Sequence, residues 1–188
     1  MKVLVTGGTG YIGAHVTRAL AESGHQPVIL DDLRRSSGER AAPFVLERVP
    51  LEETARVVDV FQRHRPDAVI HLAGYISVAE SVREPEKYWS NNLGASGSLL
   101  VACARVPVKA FLFSSTAAVY GDTDASPIPE NAPLRPAAPY GASKLAYERV
   151  LHAAAGALGF RSVALRYFNA AGAHGGWGVA RRTTPKST

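Results

Sequence analysis

The chain has 188 residues, of which 46% are hydrophobic and 20% charged, so it can bury the core of one ordinary domain and global disorder is disfavoured. Its net charge is +5, but Arg181, Arg182 and Lys186 lie in the last eight residues, and subtracting these three cations leaves +2, which disfavours nucleic acid as a partner. The sequence has a single cysteine, Cys103, and its N-terminal apolar stretch does not have the pattern of a signal peptide. No apolar run approaches the roughly 18 residues that cross a bilayer. These features favour a cytoplasmic protein without a membrane partner.

Apolar runs alternate with helix-like stretches along the chain. The predicted strands cover Lys2–Thr6, Pro27–Asp31, Phe44–Glu47, Asp67–Leu72, Val108–Ser114 and Ser162–Arg166. The helical period of apolar positions predicts helices over Tyr11–Ser23, Leu51–His64, Glu86–Arg105 and Tyr140–Leu158. This alternation predicts an α/β fold with a doubly wound parallel sheet, a Rossmann-type domain over residues 1–169. Residues 170–188 lack an apolar period and are predicted to form an irregular tail.

Three glycines follow the first predicted strand and open the first helix. A pyrophosphate binds to backbone N–H groups at a helix N-terminus, where the helix dipole favours negative charge. Gly7 permits the tight turn, Gly10 lets the backbone approach the phosphates, and Gly13 lets helix and strand pack closely. Glycine-rich turns without a ligand are common, but the order of strand, glycines and helix favours a dinucleotide site.

An acidic pair ends the second predicted strand. Asp31 lies 18 residues beyond Gly13 and is followed by Asp32. A carboxylate here can accept hydrogen bonds from the adenine-ribose hydroxyls and would repel a 2′-phosphate. Arg34 and Arg35 follow closely, but no arginine takes the place of the acid, so NAD is favoured over NADP.

A tyrosine and a lysine one turn apart open the last predicted helix. Tyr140 and Lys144 lie on one helix face, and a neighbouring ammonium favours the phenolate, which lowers the pKa of the tyrosine. The phenol can then exchange a proton with a sugar hydroxyl while hydride moves to the cofactor. Thr116, at the end of the fifth strand, either hydrogen-bonds the reacting oxygen or only caps a turn. The six histidines show no metal-ligand spacing, so no metal is expected.

At this point the chain resembles the extended short-chain dehydrogenase/reductase family, and within it the nucleotide-sugar epimerases. The resemblance covers about residues 2–174. It is carried by Val5–Gly13, Asp67–Gly74, Glu80–Val82, Asn91–Asn92, Phe113–Gly121, Tyr140–Lys144 and Leu165–Asn169.

The resemblance implies epimerisation of a UDP-hexose at C4, in which NAD takes hydride from the sugar and returns it to the other face of a 4-keto intermediate. It implies that Tyr140 moves the hydroxyl proton, that Lys144 holds the nicotinamide ribose and lowers the Tyr140 pKa, and that Thr116 bridges to the C4 oxygen. Substrate contacts are expected from Thr116, Tyr140 and Asn169. The expected cofactor contacts are Gly7, Gly10, Tyr11, Ile12, Gly13, Asp31, Asp32, Leu33, Leu72, Ala73, Gly74, Asn92, Ser114, Tyr140, Lys144 and Tyr167.

Several alternatives to this reaction must be weighed. A 4,6-dehydratase needs an acid and a base where Ala117 and Ala118 stand, which disfavours dehydration, whereas another nucleotide-sugar epimerase or a UDP-glucuronate epimerase or decarboxylase fits. Family members continue beyond Asn169 into a substrate domain that is largely missing here, so a remnant that binds NAD without turnover is the second hypothesis.

A shift of reading frame near Gly176 would explain the tail. The resemblance also implies a homodimer through Glu86–Arg105 and Tyr140–Leu158.

Overall fold

The structure is a computed structural model that describes residues 1–174 and the backbone of residues 179–180. Its centre is a parallel sheet of six strands in the order β3-β2-β1-β4-β5-β6. This order is that of the doubly wound dinucleotide-binding fold, so the predicted fold class is confirmed. The strands are β1 (Lys2–Thr6), β2 (Gln26–Leu30), β3 (Val45–Glu47), β4 (Ala68–His71), β5 (Ala110–Thr116) and β6 (Arg161–Tyr167).

Helices connect these strands and cover the sheet. They are α1 (Tyr11–Glu22), α2 (Thr54–His64), α3 (Val78–Arg83), α4 (Pro85–Tyr88), α5 (Gly97–Arg105) and α6 (Pro139–Leu158). Short 3₁₀ turns lie at Glu39–Ala41 and Ala117–Val119, and a π-helical segment covers Trp89–Ala95.

The single helix predicted over Glu86–Arg105 is wrong. The structure divides it into α4, the π-helical segment and α5, because the wider turn brings polar side chains to the inner face, where Asn92 and Ser96 are buried. Helix α3 has no predicted counterpart. Its Val78 and Val82 are exposed, so it lacks the apolar face that periodicity detects.

The two faces of the sheet are covered by different helices. Because side chains alternate along a strand, Leu4 points to one face of β1 and Val3 and Val5 to the other. The larger core, around Leu4, contains residues of α2, α5 and α6, and its fully buried side chains include Val57, Val60, Phe61, Leu99, Tyr147 and Leu151. The smaller core contains Leu20 of α1.

The strand order reverses at β1, which pairs with β2 on one side and β4 on the other. Ligands of open α/β sheets bind in the crevice that such a reversal leaves at the carboxyl ends of the strands. The loops after β1, β2, β4 and β5 therefore surround the candidate site.

The predicted irregular tail is described only in part. Ala173–His174 (β7) and Val179–Ala180 (β8) form a two-residue antiparallel pair. Residues 175–178 and 181–188 lie outside the described residues, and so does the frame shift hypothesised near Gly176. Within the described part of the chain, no helix combines the length and the apolar character that a membrane crossing requires.

Candidate active site

The glycine turn, residues 7–13, connects β1 to α1 at the carboxyl end of the sheet. Gly7 has a φ of 68°, and a Cβ built there would lie 2.8 Å from the backbone nitrogen of Ala73. A Cβ at Gly13 would lie 2.1 Å from the carbonyl oxygen of Gly7. Both positions therefore require glycine, because a side chain would meet backbone that cannot move away.

Helix α1 begins without a side-chain cap and without an acidic residue in its first turn. Its first N–H groups are thus left to an anion, which the helix dipole also favours. The bare backbone of the glycine turn leaves room for that anion to approach. These features fit the diphosphate of a dinucleotide.

A cavity of about 700 Å³ extends from this turn along the carboxyl ends of the neighbouring strands. It brings together most of the residues predicted from the sequence. The predicted residues that line it are Gly7, Gly10, Tyr11, Ile12, Gly13, Asp31, Asp32, Leu72, Ala73, Gly74, Ser114, Thr116, Tyr140, Lys144, Tyr167 and Asn169.

Two predicted cofactor residues, Leu33 and Asn92, are not among the lining residues of this cavity. Leu33 donates its N–H to Asp31 Oδ1 at 3.0 Å, and its side chain packs beside Gly38. Asn92 is buried, accepts the Tyr75 N–H at 2.8 Å and donates to the Tyr75 carbonyl at 3.0 Å. Asn92 thus lies behind the wall of the cavity, where its Oδ1 would be 3.0 Å from a Cβ at Gly74, whereas Leu33 orients Asp31.

Asp31, which directly follows β2, is held against the glycine turn. Its Oδ2 accepts hydrogen bonds from the N–H of Thr9 at 3.1 Å and from the Thr9 hydroxyl at 2.6 Å. A carboxylate has about four acceptor sites, so this arrangement orients Asp31 and leaves capacity for ribose hydroxyls. Sequence reasoning placed Thr9 in the glycine motif without giving it this role.

The two arginines after the acidic pair have other partners. Arg34 forms ion pairs with Asp32, at 3.3 Å, and with Glu52. The guanidinium carbon of Arg35 lies 5.4 Å from the centroid of the Tyr75 ring. Neither arginine replaces Asp31 as the group that would meet the ribose, which favours NAD over NADP.

Helix α6 carries the tyrosine and the lysine into the same cavity. Lys144 is 3% exposed, and its Nζ donates to the carbonyl of Ser114 at 3.0 Å. The hydroxyl of Thr116 acts on the phenol of Tyr140 and lowers its pKa. The Thr116 oxygen also accepts the Ala118 N–H at 3.2 Å, so Thr116 both caps a turn and meets the phenol. Pro139 occupies the first turn of α6, where a proline is tolerated.

Burial dominates the pKa values at this end of the cavity. It raises the pKa of Tyr140, against the hydrogen bond from Thr116, which lowers it. Burial also lowers the pKa of Lys144 to about 8. In the chain by itself the pKa of Tyr140 is therefore raised, because desolvation of the phenolate prevails and the ammonium is directed to the Ser114 carbonyl. The lowering that Lys144 and a positive nicotinamide ring would produce together stays a prediction.

A buried polar network beneath the site escaped the sequence analysis. Glu148 pairs with Arg166 at 2.8 Å and accepts a hydrogen bond from the Ser115 hydroxyl, next to Thr116. The register of the sheet places Ser115 beside Arg166. The available signal was the spacing of Tyr140, Lys144 and Glu148, which lie four residues apart on one face of α6.

His71, the most deeply placed histidine of the site region, belongs to the core as its buried strand predicts. Its Nδ1 lies 2.6 Å from the Thr6 hydroxyl and its Nε2 lies 2.9 Å from the Ser96 hydroxyl. Burial keeps its pKa well below the ordinary value, so the ring is neutral. Among the described residues, no group of three or more His, Cys, Asp or Glu side chains could hold a metal ion.

Two UDP-glucose 4-epimerases are similar to this chain in sequence. The chain is 50% identical over 192 residues to a UDP-glucose 4-epimerase of Azospirillum brasilense, an alignment that covers 100% of this chain and 54% of the relative. It is 44% identical over 179 residues to a UDP-glucose 4-epimerase of Streptomyces lividans, covering 93% of this chain and 54% of the relative. The chain thus spans about half the length of the curated relatives it matches.

Solved structures share the fold. A UDP-glucose 4-epimerase from Brucella ovis in complex with NAD matches with a TM-score of 0.94 and 38% identity, over 100% of this chain and 57% of the other. One from Stenotrophomonas maltophila with bound NAD and formylated UDP-arabinopyranose matches with a TM-score of 0.92 and 35% identity, over 100% of this chain and 59% of the other. A model of the NAD dependent epimerase/dehydratase family matches residues 3–187. The chain therefore belongs to the NAD dependent epimerase/dehydratase family.

Proposed function

We propose that the chain binds NAD and supplies the proton-transfer residues for the epimerisation of UDP-glucose and UDP-galactose at C4. The observation that carries this proposal is the placement of Tyr140, Lys144 and Thr116 at one end of the cavity and of Asp31 at the other, with the glycine turn between them. A dinucleotide that extends across the glycine turn would bring its nicotinamide end to the phenol.

Each residue has a distinct part in this proposal. NAD, when bound, supplies a reversible hydride acceptor. Tyr140 takes the proton of the sugar C4 hydroxyl and gives it back, and Thr116 holds that oxygen and shares its hydrogen bond with the phenol. Lys144 binds the nicotinamide ribose. Once this contact draws the ammonium away from the Ser114 carbonyl, its positive charge favours the phenolate, and the low solvent access of the site strengthens this electrostatic interaction.

The choice of 4-epimerisation over dehydration rests on the turn after Thr116. Ala117 and Ala118 begin a 3₁₀ turn there and carry no proton-transfer group, and Ala118 also lines the cavity. Elimination of water requires an acid and a base beside the sugar. The named relatives are UDP-glucose 4-epimerases, which supports the same choice.

NAD binding without turnover is the second candidate function. It is favoured by the exposure of apolar side chains next to Asn169, the predicted substrate contact, since Phe168 is 70% exposed. On the same strand region, Val163 is 51% and Leu165 37% exposed. An enzyme loses most of its rate when its substrate is not positioned, so this surface decides between the two functions.

The two candidates are separated by one pair of measurements on the purified chain. Calorimetry with NAD tests the binding site, and conversion of UDP-galactose to UDP-glucose tests turnover. Binding with turnover that Tyr140→Phe abolishes would support epimerisation, whereas binding without turnover would support the second candidate. A chain that binds no NAD would contradict both.

We further propose a homodimer through α5 and α6, which form part of one layer over the sheet. Val101 of α5 and Val150 of α6 are exposed, as residues of a helical interface would be in a single copy. Sedimentation of the purified chain tests this, and a monomer at micromolar concentration would contradict it. A cytoplasmic location also stays a prediction, with which the buried Cys103 thiol agrees.

A further inference from the structure

The loop after β2 contains an exposed arginine that the proposed function does not use. Arg34 is neutralised by Asp32 and Glu52, whereas its neighbour Arg35 forms no ion pair with any described residue. The guanidinium of Arg35 instead lies over the ring of Tyr75, 5.4 Å from its centroid, and both residues line the cavity. Its charge acts on the Glu80 carboxylate, but Lys87 and Tyr88 hold that carboxylate and no carboxylate of a described residue lies within ion-pair distance of Arg35, so the guanidinium is available to an anionic ligand.

Tyr75 is a fixed platform for this guanidinium. Asn92 binds both its N–H, at 2.8 Å, and its carbonyl, at 3.0 Å. The Nζ of Lys87 lies 4.6 Å from the centroid of the same ring, and Lys87 is itself held by Glu80 at 2.7 Å. The backbone that carries the ring is therefore held independently of Arg35, and the arginine is the movable partner of the pair.

The contact between Arg35 and Tyr75 crosses the cavity. Arg35 follows β2 and Tyr75 follows β4, and these strands pair with opposite edges of β1. A contact between the two loops must therefore pass over the carboxyl end of β1, where the glycine turn begins. The seat for a diphosphate lies beneath it.

We propose that Arg35 and Tyr75 form a clasp over the diphosphate of the bound dinucleotide. The edge of the guanidinium binds a diphosphate oxygen while its face stays on the Tyr75 ring, two contacts that arginine can make at once because it is planar. The clasp must open before the dinucleotide leaves, so it slows dissociation. This proposal rests on the proposed NAD site but not on turnover.

The test measures the rate of dinucleotide release from the full chain. The chain is loaded with NADH and mixed with a large excess of NAD, and the loss of bound NADH fluorescence gives the rate. We expect Arg35→Gln to release NADH about 3- to 10-fold faster, and Tyr75→Leu about 2- to 5-fold faster. Tyr75→Phe keeps the ring and should release it at the wild-type rate. The double variant Arg35→Gln, Tyr75→Leu should be no more than about twofold faster than Arg35→Gln alone, because the contact is shared.

A matched control separates the clasp from the general effect of charge. Arg161 is exposed at the amino end of β6, so Arg161→Gln removes the same charge at the end of the sheet away from the cavity. We expect it to leave the release rate unchanged. Equal acceleration by Arg35→Gln and Arg161→Gln, or equal acceleration by Tyr75→Phe and Tyr75→Leu, would overturn the clasp.

A second measurement identifies the part of the ligand that Arg35 meets. Calorimetry compares ADP-ribose, which contains the diphosphate, with AMP, which does not. Arg35→Gln should weaken the binding of ADP-ribose more than the binding of AMP. An equal loss of affinity for both ligands would overturn the assignment of Arg35 to the diphosphate. A wild-type chain that binds neither NADH nor ADP-ribose would contradict the proposed function itself, whereas normal binding with no effect of Arg35→Gln would contradict the clasp alone.

Discussion

Lys144 carries a buried positive charge that the folded chain must accommodate. Burial lowers its pKa from 10.5 to about 8, so between these values the unfolded chain holds a proton that the folded chain has released. Stability contributed by this group therefore rises with pH across that window, and below pH 8 the charged group costs on the order of 3 kcal/mol. The site thus maintains a destabilising ammonium in a place where it can meet the cofactor ribose.

Replacing this lysine should stabilise the chain at neutral pH. We expect Lys144→Met to raise the free energy of unfolding by about 2–3 kcal/mol at pH 7 and by much less at pH 10, because the neutral side chain has no charge to desolvate. Urea unfolding of both proteins at each pH measures the difference. Burial raises the pKa of Cys103 to about 12, so the contribution of this thiol to stability falls as the pH rises. Because both proteins contain Cys103, comparing them at equal pH cancels this contribution. A difference that does not depend on pH would contradict this account of Lys144.

Among the helices, α1 and α6 offer a matched pair of glycines. Gly13 lies in α1, where a Cβ would collide with the Gly7 carbonyl, and Gly156 lies in α6, where a Cβ would meet nothing within 4 Å. Gly156→Ala should therefore stabilise the chain by about 0.5–1 kcal/mol through helix propensity. Gly13→Ala should destabilise it by about 1–3 kcal/mol through overpacking and should also weaken NAD binding.

Thermal unfolding of the two glycine variants measures the change in stability, and calorimetry with NAD measures the change in binding. The opposite signs are the informative result, since helix propensity alone would stabilise both variants. If Gly13→Ala bound NAD as tightly as the wild type, the close approach of α1 to the glycine turn would have no functional importance.

The junction of β5, β6 and α6 depends on one partly buried ion pair. The Glu148 side chain is 9% exposed, so replacing Arg166 leaves a carboxylate with little access to water. We expect Arg166→Met to destabilise the chain by about 1–3 kcal/mol, less than a fully buried pair would cost. The exposed pair of Arg56 with Glu53 provides the control, and Arg56→Met should change stability by less than about 1 kcal/mol. Equal effects in urea unfolding would show that burial does not govern the Glu148 pair.

The sequence predicts regular elements better than their interruptions. The strands and α1, α2 and α6 were predicted close to their observed bounds because their buried positions recur at the period of a strand or helix. The π-helical segment was missed because its cause is tertiary, since Asn92 turns inward to bind the Tyr75 backbone. For the same reason, the Glu148–Arg166 pair could not be inferred from either local segment alone.

The molecule as a whole should respond to the dinucleotide as one cooperative unit. NAD at 100 times its Kd should raise the free energy of unfolding by about 2.7 kcal/mol. For a chain of this size that corresponds to an increase of about 5–10 °C in Tm. NADP should raise Tm by less than about 2 °C at the same concentration, because Asp31 and Asp32 repel its 2′-phosphate.

Differential scanning calorimetry with each dinucleotide measures both shifts. The Asp31→Asn variant is the informative partner, since it removes one negative charge and keeps the size of the side chain. It should reduce the gap between NAD and NADP. Equal shifts by the two dinucleotides with the wild type would contradict the selectivity that the acidic pair predicts.

At this largest scale, the sequence alone predicted the doubly wound parallel sheet through the alternation of strands and helices, which few topologies can satisfy. It could not predict that Leu33 and Asn92 lie outside the lining of the cavity. The direction of the Tyr140 pKa was also out of reach, because it depends on how much solvent the surrounding elements exclude from the phenol.

The position of β1 also has a consequence for biosynthesis. This strand is translated before the other five strands, yet it lies inside the sheet and has neighbours on both sides. One of those neighbours, residues 68–71, emerges from the ribosome only after the β2 and β3 segments. The nascent chain must therefore keep the apolar strand β1 with one unsatisfied edge until β4 arrives, which makes this interval of synthesis the period when chaperone binding would protect it most.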